Sequence, residues 1–438
     1  MPDPKLEKVY EYLINDEDAR ACRAISDSAC KVVPGNFIKM VVAQFFTKLG
    51  DALINPKVTL PWIMQSIGVP ASFIAWLVPI RESGSLIPQL AIASLIRQMP
   101  LRKWPWVVGA LIQSLSVLGI GLVALLFTGA TAGTLIILLL VIFSLARGLS
   151  SVAAKDVLGK TIPKKQRGQV NGWSSSSSGL VTLMLAGVMA ISYFVDWQGN
   201  GVFYALSLIG AAAVWLLGAG VFSLIKEEQG ETDGGKNGLL EALKQCRLLW
   251  TDKVFFQFVL ARTLLLSTAL SAPYYVLLAH QKIGNQMWLL ALFMFASGMA
   301  SLCSGPFWGR FADQSSRKVM MLGASLSGLI GIGLFVIAQL APQWLALSGF
   351  LPILYFGICI AHDGVRVGRK TYLVDMSEGN TRTTYVAVSN TVIGVMLLLM
   401  SFLGLLTELL ALPSLIVLFA VFTFVGVLVT NKLPELSQ

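Results

Sequence analysis

Residues 309–318 read Gly309-Arg310-Phe311-Ala312-Asp313-Gln314-Ser315-Ser316-Arg317-Lys318, a short charged break between two long apolar runs. The closing pair Arg317-Lys318 repeats Arg102-Lys103 at a spacing of 215 residues. The same spacing relates Lys155 to Lys370, Leu158 to Leu373 and Arg167 to Arg382, and Ile67-Gly68 returns one residue off that register as Ile283-Gly284. Each copy carries six long apolar runs. A constant offset held at separate places predicts two halves related by a parallel repeat.

The chain has 438 residues, 55% of them apolar and only 13% charged, with a mean hydropathy of +0.72. Soluble domains average about a quarter charged. Twelve spans of roughly 20 residues, each enough to cross about 30 Å of hydrocarbon, consume most of the length. The expected fold is an all-α integral membrane protein with twelve transmembrane helices in two six-helix pseudo-symmetric bundles. The spans fall at 37–62, 70–96, 104–127, 134–158, 169–195, 201–225, 253–278, 287–308, 319–340, 346–373, 384–406 and 413–430. This divides the chain into a leader (1–36), a first bundle (37–225), a linker (226–252), a second bundle (253–431) and a tail (432–438). The linker is rich in glycine and charge. In the leader, Leu6, Val9, Tyr10 and Leu13 share one face of an amphipathic helix. That helix either docks on the bundle or lies on the membrane surface; Asp16, Glu17 and Asp18 favour docking, since anionic lipid repels them. The first 36 residues lack the apolar core of a cleavable signal peptide.

The net charge of +10 is carried by loops on one side. Arg97, Arg102, Lys103, Lys160, Lys164, Lys165, Arg167, Arg310, Arg317, Lys318 and Arg382 alternate with opposite loops whose only Lys or Arg is Lys282. The positive-inside rule places the basic side, and with an even span count both termini, in the cytoplasm. The chain is therefore expected to be a multi-pass cell-membrane protein, in the inner membrane if bacterial. Its surroundings are the lipid bilayer and not nucleic acid. Cys22, Cys30, Cys246, Cys303 and Cys359 avoid the exported loops, which predicts free thiols.

The 309–318 loop resembles the cytoplasmic signature of the major facilitator superfamily, Gly-x-x-x-Asp-x-x-x-Arg-Arg/Lys. The resemblance implies that Gly309, Asp313, Arg317 and Lys318 form a gating loop that latches the halves in one state, with Asp313 near Arg167 to Asn171. Gly309 would permit close packing at a tight helix exit. Ser316 stands where the family has glycine, and the first copy has Gln98 in place of the aspartate. Span four carries Arg147-Gly148-Leu149-Ser150-Ser151-Val152-Ala153-Ala154, similar to the family's pattern of an arginine followed by small residues. The resemblance ties that arginine to proton coupling or anion binding. Span five lacks the proline-glycine signature that resembles drug–proton antiporters.

Ionisable residues inside the spans carry the functional reading. They are Lys48, Asp51 and Lys57 in span one, Arg81 and Glu82 in span two, Arg147 in span four, Arg262 in span seven, and His362, Asp363 and Arg366 in span ten. A charge facing lipid near midplane costs roughly 2.5–3.5 kcal/mol, so nine would cost on the order of 20–30 kcal/mol. They must face the interior, water or one another. Lys48 with Asp51, and Asp363 with Arg366, are spaced as local pairs on a helix face. Six cations (Lys48, Lys57, Arg81, Arg147, Arg262 and Arg366) against Asp51, Glu82 and Asp363 leave a positive excess that a bound anion would relieve. Lys48, Asn55, Arg81, Arg147, Arg262 and Arg366 are therefore the candidate substrate-binding residues. Asp51, Glu82, His362 and Asp363 are the candidates for proton coupling. For His362 a satisfied polar contact is equally open, and Asn55 and Ser83 serve either substrate or helix packing. Pro56, Pro61, Pro79, Pro88 and Pro273 break helices where backbone lines a cavity, or only kink them.

The leading reading is a secondary transporter that works as a monomer, moving a small anionic or zwitterionic solute by alternating access with H⁺ as coupling ion. The alternatives are a transporter-fold sensor or membrane assembly factor without transport, and an efflux permease. No metal-ligand cluster, nucleophile elbow or phosphate loop is present, so neither an enzyme nor a metal or other cofactor is expected.

Overall fold

The computed structural model describes residues 32–163, 167–191, 194, 201–229, 247–376 and 381–436. Among them all regular elements are helices, and nine are long and apolar enough to cross a membrane. Spans three, four, five and six are single helices, Lys103–Leu126, Gly129–Thr161, Arg167–Ala190 and Gly201–Ser223. Spans eight, nine, ten and twelve are Met287–Gln314, Ser316–Leu340, Phe350–Asp375 and Leu412–Asn431. Span eleven continues Thr381–Ser401 into a 3₁₀ segment, Phe402–Glu408. Large apolar side chains such as Leu115, Leu138, Leu329 and Leu428 are exposed around the bundle, which suits a lipid-facing surface.

Spans one, two and seven are broken, and proline explains where. Span one is Val33–Leu53 and Thr59–Ser66, and span two is Ala71–Ile74, Leu77–Leu86 and Gln89–Arg97. Span seven is Lys253–Leu264, Ser267–Leu270 and Ala272–Ile283. Pro56 lies in the first break; Pro61, Pro79 and Pro273 fall in the first turn of a restarted helix, and Pro88 directly precedes one. Proline has no N–H to lose in a first turn, so each helix restarts where the ring costs least.

The repeat extends to contacts, within one residue of the 215 spacing. A Cβ on Gly109 would come within 2.8 Å of the Ala146 carbonyl oxygen, and one on Gly323 within 2.7 Å of the Ala361 carbonyl oxygen. Only glycine lets spans three and four, and again nine and ten, approach this closely. The Ile-Gly repeat marks equivalent turns, since Gly68 and Gly284 adopt φ of 74° and 103°, where a side chain would be strained.

The repeated basic pair also has a structural duty. Lys103 Nζ donates to the carbonyls of Ser223 (3.0 Å) and Ile225 (2.9 Å) at the end of span six. Arg317 donates to the carbonyls of Leu433 (2.8 Å) and Asn431 (3.4 Å) at the end of span twelve. Glu227 follows span six and accepts from the backbone N–H groups of Arg102 (3.0 Å) and Lys103 (2.7 Å) at the start of span three. Glu435 follows span twelve and accepts from Ser315 Oγ (2.8 Å), the cap of span nine, and pairs with Arg317 at 3.3 Å. In each half a cation caps a helix C-terminus, and a carboxylate sits at a helix N-terminus, Glu227 on the backbone N–H groups and Glu435 on the capping Ser315 hydroxyl, both favoured by the helix dipole.

Candidate functional site

Asp51 ends the first helix of span one, Arg81 sits in the middle helix of span two and Arg147 in span four. All three side chains meet. Arg81 donates to Asp51 Oδ1 at 2.6 Å, and Arg147 reaches Oδ1 at 2.6 Å and Oδ2 at 2.5 Å. Arg81 is 6% exposed, with its guanidinium 4.7 Å from the centre of the Phe143 ring, whereas Arg147 is 36% exposed. The buried arginine is clamped between carboxylate and aromatic face. Arg147 is the more accessible of the two.

The second half faces this cluster with span ten. Asp363 accepts from Ser304 Oγ at 2.6 Å and pairs with Arg366 at 2.8 Å, with Arg366 48% exposed. His362 Nδ1 lies 3.1 Å from Thr268 Oγ1. The Glu82 carboxylate, exposed and with no hydrogen bond or ion pair among the described residues, lies within electrostatic reach of Lys57, Arg81, Arg147, Arg369 and Lys370. Lys57 in turn feels Asp363 and Arg366 across the seam. Lys57, Arg81, Arg147, Arg366, Arg369 and Lys370 thus surround Asp51, Glu82 and Asp363, a formal excess of three positive charges.

At one end of this seam the halves are joined. Trp62 Nε1 donates to Tyr204 OH at 2.9 Å, and that hydroxyl donates to Asn285 Oδ1 at 2.8 Å. Ser66 Oγ lies 3.0 Å from Asn285 Oδ1 and 3.3 Å from His280 Nε2, and the His280 ring meets the Trp62 ring edge-to-face at 4.7 Å. Trp62, Ser66 and Tyr204 belong to the first half, His280 and Asn285 to the second. At the other, basic end, the bonds made by Lys103, Glu227, Arg317 and Glu435 tie residues of the same half. The charged seam is closed at the Trp62 end.

Several expectations change. Asp51 pairs with Arg81 and Arg147 and not with Lys48, because those guanidiniums from neighbouring helices take both of its oxygens. Asp363 and Arg366 do pair as their spacing predicts. Asn55 Oδ1 accepts from the Lys57 backbone N–H at 2.8 Å, so it caps the break in span one and does not face a solute with that oxygen. Arg262 is buried away from Asp51, donating to Ser389 Oγ (2.6 Å) and Asn390 Oδ1 (3.1 Å) of span eleven. A Cβ on Gly309 would meet nothing within 4 Å, and the residue lies inside the helix Met287–Gln314, so it makes no tight exit. Arg317 grips span twelve and not the other half, and Lys318 is exposed. The side chains of Asp313, Arg167 and Asn171, and residues 1–31 and 230–246 of the leader and linker, lie outside the described residues. Cys22, Cys30 and Cys246 are among those; Cys303 and Cys359 are free thiols.

The sequence reading passed over Arg369. His362, Arg366 and Arg369 recur at i, i+4 and i+7, one face of span ten. That periodicity was the available signal, hidden because 369 lies near the predicted basic end of the span.

The model of the Major Facilitator Superfamily matches residues 40–362. The chain belongs to this superfamily. It is therefore a multi-pass membrane protein of a transporter family and not an enzyme. Solved structures agree on the fold across nearly the whole length. The chain superposes on a D-xylose-proton symporter with a TM-score of 0.69 at 14% identity, covering 92% of this chain and 98% of that one. For a point mutant of the nucleoside transporter NupG, the values are 0.69 and 11%, covering 91% and 99%. A POT family transporter in complex with 5-aminolevulinic acid gives 0.67 and 11%, covering 90% and 94%. No curated protein sequence matches the chain.

Proposed function

We propose that the chain is a proton-coupled secondary transporter of a small anionic or zwitterionic solute, working by alternating access with both termini and the basic end in the cytoplasm. The carrying observation is the excess of cations around Asp51, Glu82 and Asp363, with Arg147 and Arg366 partly exposed at the seam between the halves. Uncompensated positive charge in a low-dielectric site is costly, and a bound anion relieves it. The similar POT family transporter was solved with 5-aminolevulinic acid, a zwitterion, and the similar xylose carrier is a proton symporter. Both fit the chemistry of this seam, although xylose itself is uncharged.

Arg147 and Arg366, one from each half, are proposed as the solute's guanidinium contacts, with Lys57 and Arg369 adding charge. Glu82 is the proposed proton carrier, since its carboxylate is exposed and unbonded while Asp51 must first break two ion pairs. Arg81 positions Asp51 from its buried place on Phe143. With the proposed orientation, the closed Trp62 end supports reading this as an inward-facing state.

The test is uptake of metabolite anions into proteoliposomes under an imposed pH gradient. Arg147→Ala is expected to abolish flux, and Glu82→Gln to retain solute exchange while losing the response to the gradient. Full flux in Arg147→Ala, or transport confined to neutral solutes, refutes the proposal.

A further inference from the structure

At the basic end, the start of span seven and the end of span twelve enclose a groove of about 460 Å³. Trp250, Lys253, Phe256, Leu260, Val429 and Lys432 line it. Trp250 is 83% exposed and makes no ring contact with a described residue, and neither the Lys253 nor the Lys432 ammonium has a hydrogen bond or ion pair among the described residues. The carboxylate next to Lys253 in sequence is already engaged. Asp252 accepts from the backbone N–H groups of Val254 (2.9 Å) and Phe255 (3.0 Å) and from Tyr385 OH (2.6 Å). Phe256 and Leu260 are exposed on the outer surface of the bundle, facing hydrocarbon.

We infer that this groove holds a phospholipid with a net negative headgroup. Two unpaired ammonium groups at the headgroup level suit its phosphate, the indole of Trp250 suits the interface, and Phe256, Leu260 and Val429 offer an apolar path for an acyl chain. Charge complementarity selects the occupant, since the lining holds two cations and no acid. The proposed orientation places the groove in the cytoplasmic leaflet, where anionic lipids attract basic segments. The inference uses that orientation only to name the leaflet and is independent of the transported solute. The lipid would tie span twelve to the start of span seven, a broken helix of the seam.

The experiment is native mass spectrometry of delipidated protein titrated with phosphatidylglycerol or phosphatidylcholine. The expected result is preferential retention of phosphatidylglycerol, weakened roughly 10- to 30-fold in Lys253→Gln/Lys432→Gln, from two surface lysines of about fivefold each. Lys282→Gln, at the other end of the molecule, is expected to change nothing. If the double variant unfolds, Lys432→Gln alone is expected to weaken retention about fivefold. Equal retention of both lipids, or retention unchanged in these variants, overturns the assignment. So does displacement of the lipid by soluble glycerol phosphate, which would make the groove a site for a free anion.

Discussion

Asp51→Asn isolates the electrostatic claim from transport. The substitution keeps shape but leaves Arg81 and Arg147 facing a neutral amide. Removing one partner of a buried pair costs about 3–5 kcal/mol. Arg81, 6% exposed, carries that scale; Arg147, at 36% exposure, belongs nearer the roughly 0–1 kcal/mol of exposed pairs. The expected loss is about 3 kcal/mol, set by the buried arginine. A divalent anion entering the seam would stand in for the lost carboxylate. At a concentration of 100 times its Kd, such an anion restores about 2.7 kcal/mol, nearly the whole loss. The assay is thermal unfolding of purified protein followed by tryptophan fluorescence, in chloride and in phosphate at equal ionic strength. The variant should melt below wild type in chloride, and phosphate should recover most of the gap. A variant as stable as wild type would show that the Asp51 pairs contribute nothing. A loss that phosphate leaves untouched would mean that the seam does not admit anions.

Three further substitutions test the frame around the site. Asn285→Leu removes the acceptor shared by Tyr204 and Ser66. Leaving a buried hydroxyl unsatisfied costs about 1–3 kcal/mol, so the population open at the Trp62 end should rise roughly 5- to 150-fold, read as labelling of Ala279→Cys by an impermeant maleimide. Glu227→Gln should destabilise more than Glu435→Gln, because the Glu227 side chain is fully buried while Glu435 is 33% exposed; unfolding midpoints give the order. Gly109→Ala should cost about 1–3 kcal/mol by overpacking against span four, whereas Gly309→Ala, with open space around it, should leave stability unchanged or raised.

What the sequence revealed follows the range of the forces involved. Span positions depend on local hydrophobicity, so their order was readable, although span eight runs on to Gln314, span four starts at Gly129, and the breaks in spans one, two and seven were not resolved into separate helices. Charge repeats such as Arg102-Lys103 and Arg317-Lys318 were visible for the same reason. Their partners were not. Glu227 and Glu435 cap helices that start more than a hundred residues earlier in the chain, and no local pattern joins them. The Lys48–Asp51 pairing failed similarly. Helical spacing of three permits a local pair, but it does not know that two neighbouring helices deliver guanidiniums to the same carboxylate. Asp363–Arg366 kept its local pair while Ser304 approached Asp363 from span eight.

The two pairs therefore differ in what releases them. Asp51 is held from two other helices of its own half, so freeing it would move spans one, two and four relative to one another. Asp363 and Arg366 sit on one helix, and side-chain rotation alone separates them. With Arg366 48% exposed and Arg147 36% exposed, the accessible cation of each half differs in the cost of turning toward a solute. The proposed negatively charged passenger, entering from the basic end, would meet Arg366 at little cost in structure. Drawing Arg147 away from Asp51 as well requires the first half to repack. On this argument the solute's second contact, and not its first, is coupled to the rearrangement that opens the Trp62 end.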